Sequence, residues 1–242
     1  MNELYHYGVK GQKWGVRRYQ NKDGSLTSLG KKRCSKSIDI NSIDRKALIK
    51  LLDSGKDFVV SKGSEVYRST NYNKEKIAGK KYVSLRADDI GVYNHFVSET
   101  YDNNALYDIT YSTNKKMLVG GERTQAEILQ EMYGKKFDKK FENRGVVEKG
   151  WVNKDAMKKP ISEMTDKEFQ TYMYYNPFGH DRDILNKPIT NLDTKKFLDE
   201  LSKKGYDAVV DMLDYSIGYS DAPMIVLKSE DVLKEKSYKK IY

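Results

Sequence analysis

A chain of 242 residues, 38% apolar and carrying 17 glycines, is long enough for one large domain, or one domain with an appendage, built around a real core. No run approaches the ~18 consecutive apolar residues of a membrane span, no apolar stretch at the start marks a secretory signal, and a single cysteine, Cys34, excludes an internal disulfide and reads as an incidental surface thiol. The net charge of +9 is unevenly placed: residues 1–36 hold nine cations against two anions, which leaves the other 206 residues at only +2. The missing apolar span leaves no membrane partner expected, and a basic arm on a near-neutral body predicts that an acidic partner meets the arm, with net charge favouring the arm over the body for nucleic acid.

Two units are therefore expected: a basic, tag-like N-terminal arm over 1–36 and an α+β domain over 37–242. Within the second, "SIDINSIDRKALIKLLDSGKD" predicts a helix with Ile43, Leu48, Ile49, Leu51 and Leu52 on its apolar side, stopped at Gly55. "DFVVSKG", "SEVYRST" and "KYVSL" read as strands separated by turn residues. "DDIGVYNHFVSETY" reads as a helix and places His95 on it as a packing residue; "ALYDITYST" and "KMLVG" read as further strands. "TQAEILQEMYG" predicts a helix opened by a capping box at Thr124 and Glu127, and "EMTDKEFQTYMYYN" a second one at Thr165 and Glu168, with Phe169, Tyr172 and Tyr175 at helical spacing. "NPFGHDRD" is a loop, "DTKKFLDELSKKG" a helix closed by Gly205, "YDAVVD" and "APMIVLK" the most β-like runs, and "KSYKKIY" a weak final strand. Strands early, helices in the middle and strands again at the end favour α+β with mainly antiparallel sheets over a doubly wound fold.

Three places could carry chemistry. On a strand "EVYRST", Tyr67 and Ser69 share one face and Arg68 points to the other with Val66 and Thr70. A strand arginine needs a partner, which a pyrophosphate could supply through the guanidinium fork; a carboxylate or solvent at a sheet edge would serve as well. Ser84 in "KYVSL" could bond a ligand sugar or a neighbouring backbone group. "GYDAVVDMLDYSIGYSDAPMIVL" is a buried strand, an acidic aromatic loop and a second buried strand. There Asp211, Asp214 and Asp221 beside Tyr215 and Tyr219 form either a site rim or a solvated hairpin loop. His180, Asp181 and Asp183 lie too close in sequence to converge on a metal without a distant fourth ligand, so no metal is expected.

The order "VYRST", "YVSL" and "GYDAVVD…DAPMIVL" resembles the mono-ADP-ribosyltransferase fold, in which NAD binds a cleft between two antiparallel sheets. The resemblance implies that Arg68 holds the NAD phosphates, that Ser84 and Tyr215 help to position the cofactor, and that Asp211, Asp214 or Asp221 acts as the catalytic carboxylate stabilising the sugar cation. The chain departs from that family in lacking its Glu-x-Glu or Gln-x-Glu before a late strand. Gln125-Ala126-Glu127 has the letters but lies inside a predicted helix.

The arm carries a second resemblance. "HYGVKGQKWGVR" is similar to a motif, His-x-Gly-Val-Lys-Gly-Met-Lys-Trp-Gly-Val-Arg, that recurs near the ends of proteins encoded by phages of Gram-positive bacteria, often among virion genes; Gln12 replaces the usual Met. The recurrence implies a portable tag. Trp14 is its anchor, and residues 5–33 would bind phage particle proteins or packaged DNA. Together the two resemblances imply a protein made in the host cytoplasm and associated with the virion. It would either transfer ADP-ribose from NAD to a host protein target, or act without turnover as a structural or interaction protein or as a host-defence antagonist.

Overall fold

The computed structural model describes residues 19–21, 24–100, 105–133, 160–165, 168–169, 194–211 and 222–241. In these residues the strands are β1 (Ser37–Ile38), β2 (Phe58–Val60), β3 (Glu65–Thr70), β4 (Lys81–Ser84), β5 (Tyr107–Thr113), β6 (Met117–Gly120), β7 (Ala208–Val210), β8 (Pro223–Val226) and β9 (Leu233–Lys240). The helices are α1 (Ser28–Cys34), α2 (Arg45–Asp53), α3 (Ile90–Thr100), α4 (Glu122–Tyr133), α5 (Thr194–Lys203) and α6 (Ser229–Val232). The class is α+β, as the order of elements implies. The strands do not divide into two sheets, however. They form one hydrogen-bonded series of nine, in the order β1-β2-β6-β7-β8-β4-β3-β5-β9. Only β1 with β2 and β6 with β7 run parallel; the other six pairings are antiparallel.

The sheet order follows from the side chains. Strands β2, β6, β7 and β8 are buried at every position, which suits unbroken apolar runs in the middle of a sheet covered on both faces. Strand β5 alternates between buried and half-buried residues, the mark of a strand with one face on the core. Strand β9, "LKEKSYKK", is exposed at most positions and sits at the sheet's edge, where lysines discourage pairing with another chain. It is longer than its sequence suggests because β5 offers it seven paired residues across an irregularity at Thr110 and Tyr111.

Helix α2 is opened by Asp44, whose carboxylate accepts from the Ala47 N–H at 2.7 Å, and it buries Leu48 and Leu52. Helix α5 buries Phe197, Leu198 and Leu201. Both chains turn away at glycines in the left-handed region, Gly55 at φ 64° and Gly205 at φ 88°. The capping box at Thr165 and Glu168 is realised in both directions: the Thr165 N–H donates to Glu168 Oε2 at 2.7 Å, and the Glu168 N–H donates to Thr165 Oγ1 at 3.2 Å. The box expected at Thr124 and Glu127 is not. Helix α4 starts at Glu122, so Thr124 lies inside it, and its hydroxyl donates to Asp57 Oδ1 at 2.6 Å instead. The remainder of the predicted helix after Phe169 and the loop at 176–183, with His180, Asp181 and Asp183, lie outside the described residues.

The described part of the basic segment lies against the body. A turn, with the Asn21 N–H donating to Ser25 O and the Thr27 N–H to Tyr19 O, leads into α1, and Thr27 caps that helix through Gly30 N. Helix α1 packs near β6, so residues 28–34 belong to the folded body.

Gln125, fully buried in α4, donates from Nε2 to the Val210 carbonyl at 2.9 Å and so joins that helix to the end of β7. Gln125→Ala is expected to cost about 2 kcal/mol, from the orphaned carbonyl and the space left behind. A thermal melt should show a fall of about 4–8 °C for a chain of this size. An unchanged melting temperature would remove this tie from the account of α4.

Candidate functional site

The expected NAD constellation can be placed residue by residue. Tyr67 pairs with Ser84, Ser84 pairs with Pro223, and the Asp211 N–H donates to the Pro223 carbonyl at 3.0 Å. Residues opposite one another share a face, and neighbours along a strand alternate. Tyr67, Ser84, Pro223 and Asp211 therefore form one row on one face, with Ser84 and Asp211 two strand spacings, roughly 10 Å, apart. Arg68, next to Tyr67, projects from the opposite face. The sheet brings Ser84 and Asp211 to a common side and does not bring Arg68 to them. Asp214, Asp221 and Tyr215 lie outside the described residues.

Ser84 is fully buried. Its hydroxyl donates to Asp89 Oδ2 at 2.9 Å and accepts from the Arg86 N–H at 3.0 Å, which fastens the end of β4 to the 3-10 turn at Ala87–Asp89. Asp211 is also buried, 3% exposed, directly after β7.

On the other face Arg68 has a full set of partners. Its Nε donates to Glu75 Oε2 at 2.8 Å and its Nη2 to Glu75 Oε1 at 3.2 Å, a two-pronged pair, while Nη1 donates to the Tyr82 carbonyl at 2.9 Å. Lys81 donates to the same Glu75 Oε1 at 2.7 Å, and the Glu75 side chain is only 12% exposed. Burial alone would raise the Glu75 carboxyl; the hydrogen bonds and charges of Arg68 and Lys81 outweigh it and hold the group below the ordinary glutamate range. The partner expected of a strand arginine is thus supplied from within the chain. Sequence reasoning missed Glu75 because it lies in the turn region 71–80 in a plain "KEK" run, with no spacing that ties it to Arg68. The fully buried Tyr111 stands near this group; burial, then the charge of Glu75, pushes its hydroxyl well above its usual range.

A second neighbourhood holds α1 on the body. Asp57, just before β2, accepts four hydrogen bonds: Lys31 at 2.7 Å and Tyr206 OH at 2.8 Å on Oδ2, Thr124 Oγ1 at 2.6 Å and the Gly121 N–H at 3.1 Å on Oδ1. Lys32 pairs with Asp207 at 2.6 Å, and that carboxylate also accepts from the Leu118 N–H at 2.8 Å. Burial would lower the Lys31 ammonium, but Asp57 and Tyr206 reverse this and raise it. Burial, then the charge of Asp57, pushes the Tyr206 phenol up to about 12. Gly30 is buried with the Tyr19 carbonyl so close that a Cβ would sit 2.0 Å from the oxygen. An open cavity of about 440 Å³ lies beside this clamp, between Leu26–Leu29, the α4 residues Glu127 and Glu131, and Tyr206. The mixed charges around it select no ligand class. Among the described residues no group of three or more His, Cys, Asp or Glu is placed to hold a metal.

Compared with known proteins, the chain matches one family model, a family of unknown function (DUF7211), over residues 1–21. The matched stretch contains the tag-like motif and stops before the α1 clamp. No curated protein and no solved structure matches the chain.

Two outcomes are expected. Glu75→Gln leaves two largely buried cations facing a neutral amide and should lower stability by about 2 kcal/mol at neutral pH. Because the folded state depresses the Glu75 carboxyl, its contribution is complete above about pH 4.5 and is lost as pH falls through the folded value. Urea midpoints of wild type and variant should therefore differ most near neutrality and converge in acid; a gap that stays constant would contradict the assignment. Gly30→Ala should release α1, read as faster protease cleavage within 19–34.

Proposed function

We propose that the chain is a phage-encoded, virion-associated interaction protein, in which the basic segment over residues 5–33 docks on an acidic surface and the body is carried with it. The observation that supports this reading most is the α1 clamp. Lys31 and Lys32, the cations at the end of the segment, are used internally by Asp57 and Asp207. The motif around Trp14 is thereby attached to the body through a braced helix. The cations in and directly after the motif, Lys10, Lys13, Arg17 and Arg18, are suited to a particle protein or packaged DNA. The family match over residues 1–21 agrees with a portable unit.

The ADP-ribosyltransferase-like reading, with NAD transferred to a host target, draws on the common face of Ser84 and Asp211. It requires NAD to recruit Arg68 from the reverse face and to displace Glu75, so the binding reading is preferred.

The test is association. Purified phage particles from infections with wild type and with Trp14→Ala or Lys13→Gln/Arg17→Gln variants would be probed for the protein by immunoblot. Co-purification of the wild type, lost in the variants, is the expected result; equal recovery, or absence of the wild type from particles, would remove the tag hypothesis. In parallel, incubation with labelled NAD and host lysate should yield neither nicotinamide release nor labelled protein. Transfer of label would restore the enzyme reading.

A further inference from the structure

The +2 balance of residues 37–242 conceals a strong separation of charge. Residues 71–81 carry Lys74, Lys76, Lys80 and Lys81 against Glu75, and β9 carries Lys234, Lys236, Lys239 and Lys240 against Glu235; each stretch nets +3, so the rest of the body is at −4. The fold places these two distant stretches together. The Tyr238 hydroxyl of β9 accepts from the Lys74 N–H at 2.9 Å and donates to the Tyr72 carbonyl. Thr70, at the start of the 71–80 turn, is paired through Tyr107 to Lys240, two strand spacings or roughly 10 Å away.

Part of this charge is neutralised: Lys80 pairs with Asp199, Lys81 with Glu75 and Lys236 with Glu65. Lys74, Lys76 and Lys240 are exposed and form no ion pair among the described residues. Tyr238 and Lys240 lie on the sheet face that also carries Arg68, because Tyr238 pairs with Ile109 and Ile109 with Arg68. The 71–80 turn is tied down over that face at both Glu75 and Tyr238. Beside these lysines Tyr72 is 60% exposed, a large aromatic side chain left in solvent.

Lysines on β9 alone would be explained as protection of a sheet edge. That explanation does not reach Lys74, Lys76 and Tyr72, which belong to a turn and have no ladder to protect. Nor is the turn a loose one. Lys74 adopts φ 60°, an uncommon conformation for lysine, and the flanking bonds hold it there. Cations presented by a braced turn meet a polyanion without a further ordering cost.

We propose that this ledge, Lys74, Lys76 and Lys240 around Tyr72, is a binding surface for single-stranded nucleic acid, separate from the N-terminal tag. The lysines track the phosphates, and the Tyr72 ring stacks on an unpaired base, a contact that neither a duplex nor an acidic polypeptide offers. The tag clamp lies near β2, β6 and β7, whereas the ledge lies at the β9 end of the sheet. The chain would thus have an anion-binding surface on the body in addition to the tag. The inference goes beyond the tag reading and does not depend on it.

The test uses the full chain and a fluorescein-labelled oligothymidylate, followed by anisotropy over a salt series. Lys74→Glu/Lys76→Glu/Lys240→Glu should weaken binding by at least about tenfold and reduce the slope of log affinity against log salt by about 2, the value for three lost phosphate contacts on a single strand. Tyr72→Ala should weaken oligothymidylate binding by about tenfold and leave duplex binding unchanged. Unaltered affinity in the triple variant would overturn the proposal, as would a silent Tyr72→Ala, or polyglutamate displacing the probe as well as unlabelled oligothymidylate does. A parallel variant with Lys10, Lys13, Arg17 and Arg18 changed to Gln reports on the tag alone, so loss of either surface is read independently.

Discussion

Asp57 is the carboxylate on which the N-terminal half of this architecture converges. Its four donors come from α1, from the turn after β6, from α4 and from the residue that follows the α5 loop, positions that are 26 to 149 residues from it in sequence. A half-exposed carboxylate would contribute little; one that is 12% exposed and bonded on both oxygens is a rigid node. Its consequence is that α1, basic and short, has a defined seat. A seven-residue helix is too short to persist in water unaided. The ion pairs at Lys31 and Lys32, with Arg33 stacked 4.8 Å from the Tyr19 ring, give it the tertiary support it lacks.

The chain's abundant cations fall into two groups with different physical roles. Lys31, Lys32, Arg68 and Lys81 are each met by a carboxylate that is largely removed from water, where an unpaired ammonium or guanidinium would be costly. These four hold the architecture together. Lys74, Lys76 and Lys240 have no such partner among the described residues and remain in solvent, available to an external anion. Net charge by segment, the strongest signal in the sequence, does not separate these groups. The +7 of residues 1–36 includes cations spent on the body, and the +2 of the remainder includes a concentrated patch.

Arg68 shows how the sequence could pose a question that only the fold answered. Its position in a β-run made a buried or half-buried guanidinium expected, and the need for a partner followed from electrostatics alone. Whether that partner was a ligand phosphate or an internal carboxylate depended on where the 71–80 turn came to rest. The shared cleft for Arg68 and Ser84 depended on strand parity: one residue of register decides the face, and Tyr67, not Arg68, lies opposite Ser84. Thr124 is a similar case. Its spacing to Glu127 is that of a cap, yet the helix had already begun, and the hydroxyl was taken up by Asp57.

What the sequence by itself determined is local. The strands at β2 to β8, the helices α2 to α5, the stops at Gly55 and Gly205, the cap at Thr165 and the α+β class all rest on periodicity, turn chemistry and bonds between residues a few positions apart. The tertiary structure alone decided the continuous nine-strand order, the full length of β9, the seat of α1 and the partners of Asp57 and Arg68. Each of these is a contact between segments distant in the chain, selected by packing and register over the whole sheet, and no short stretch of residues carries that information.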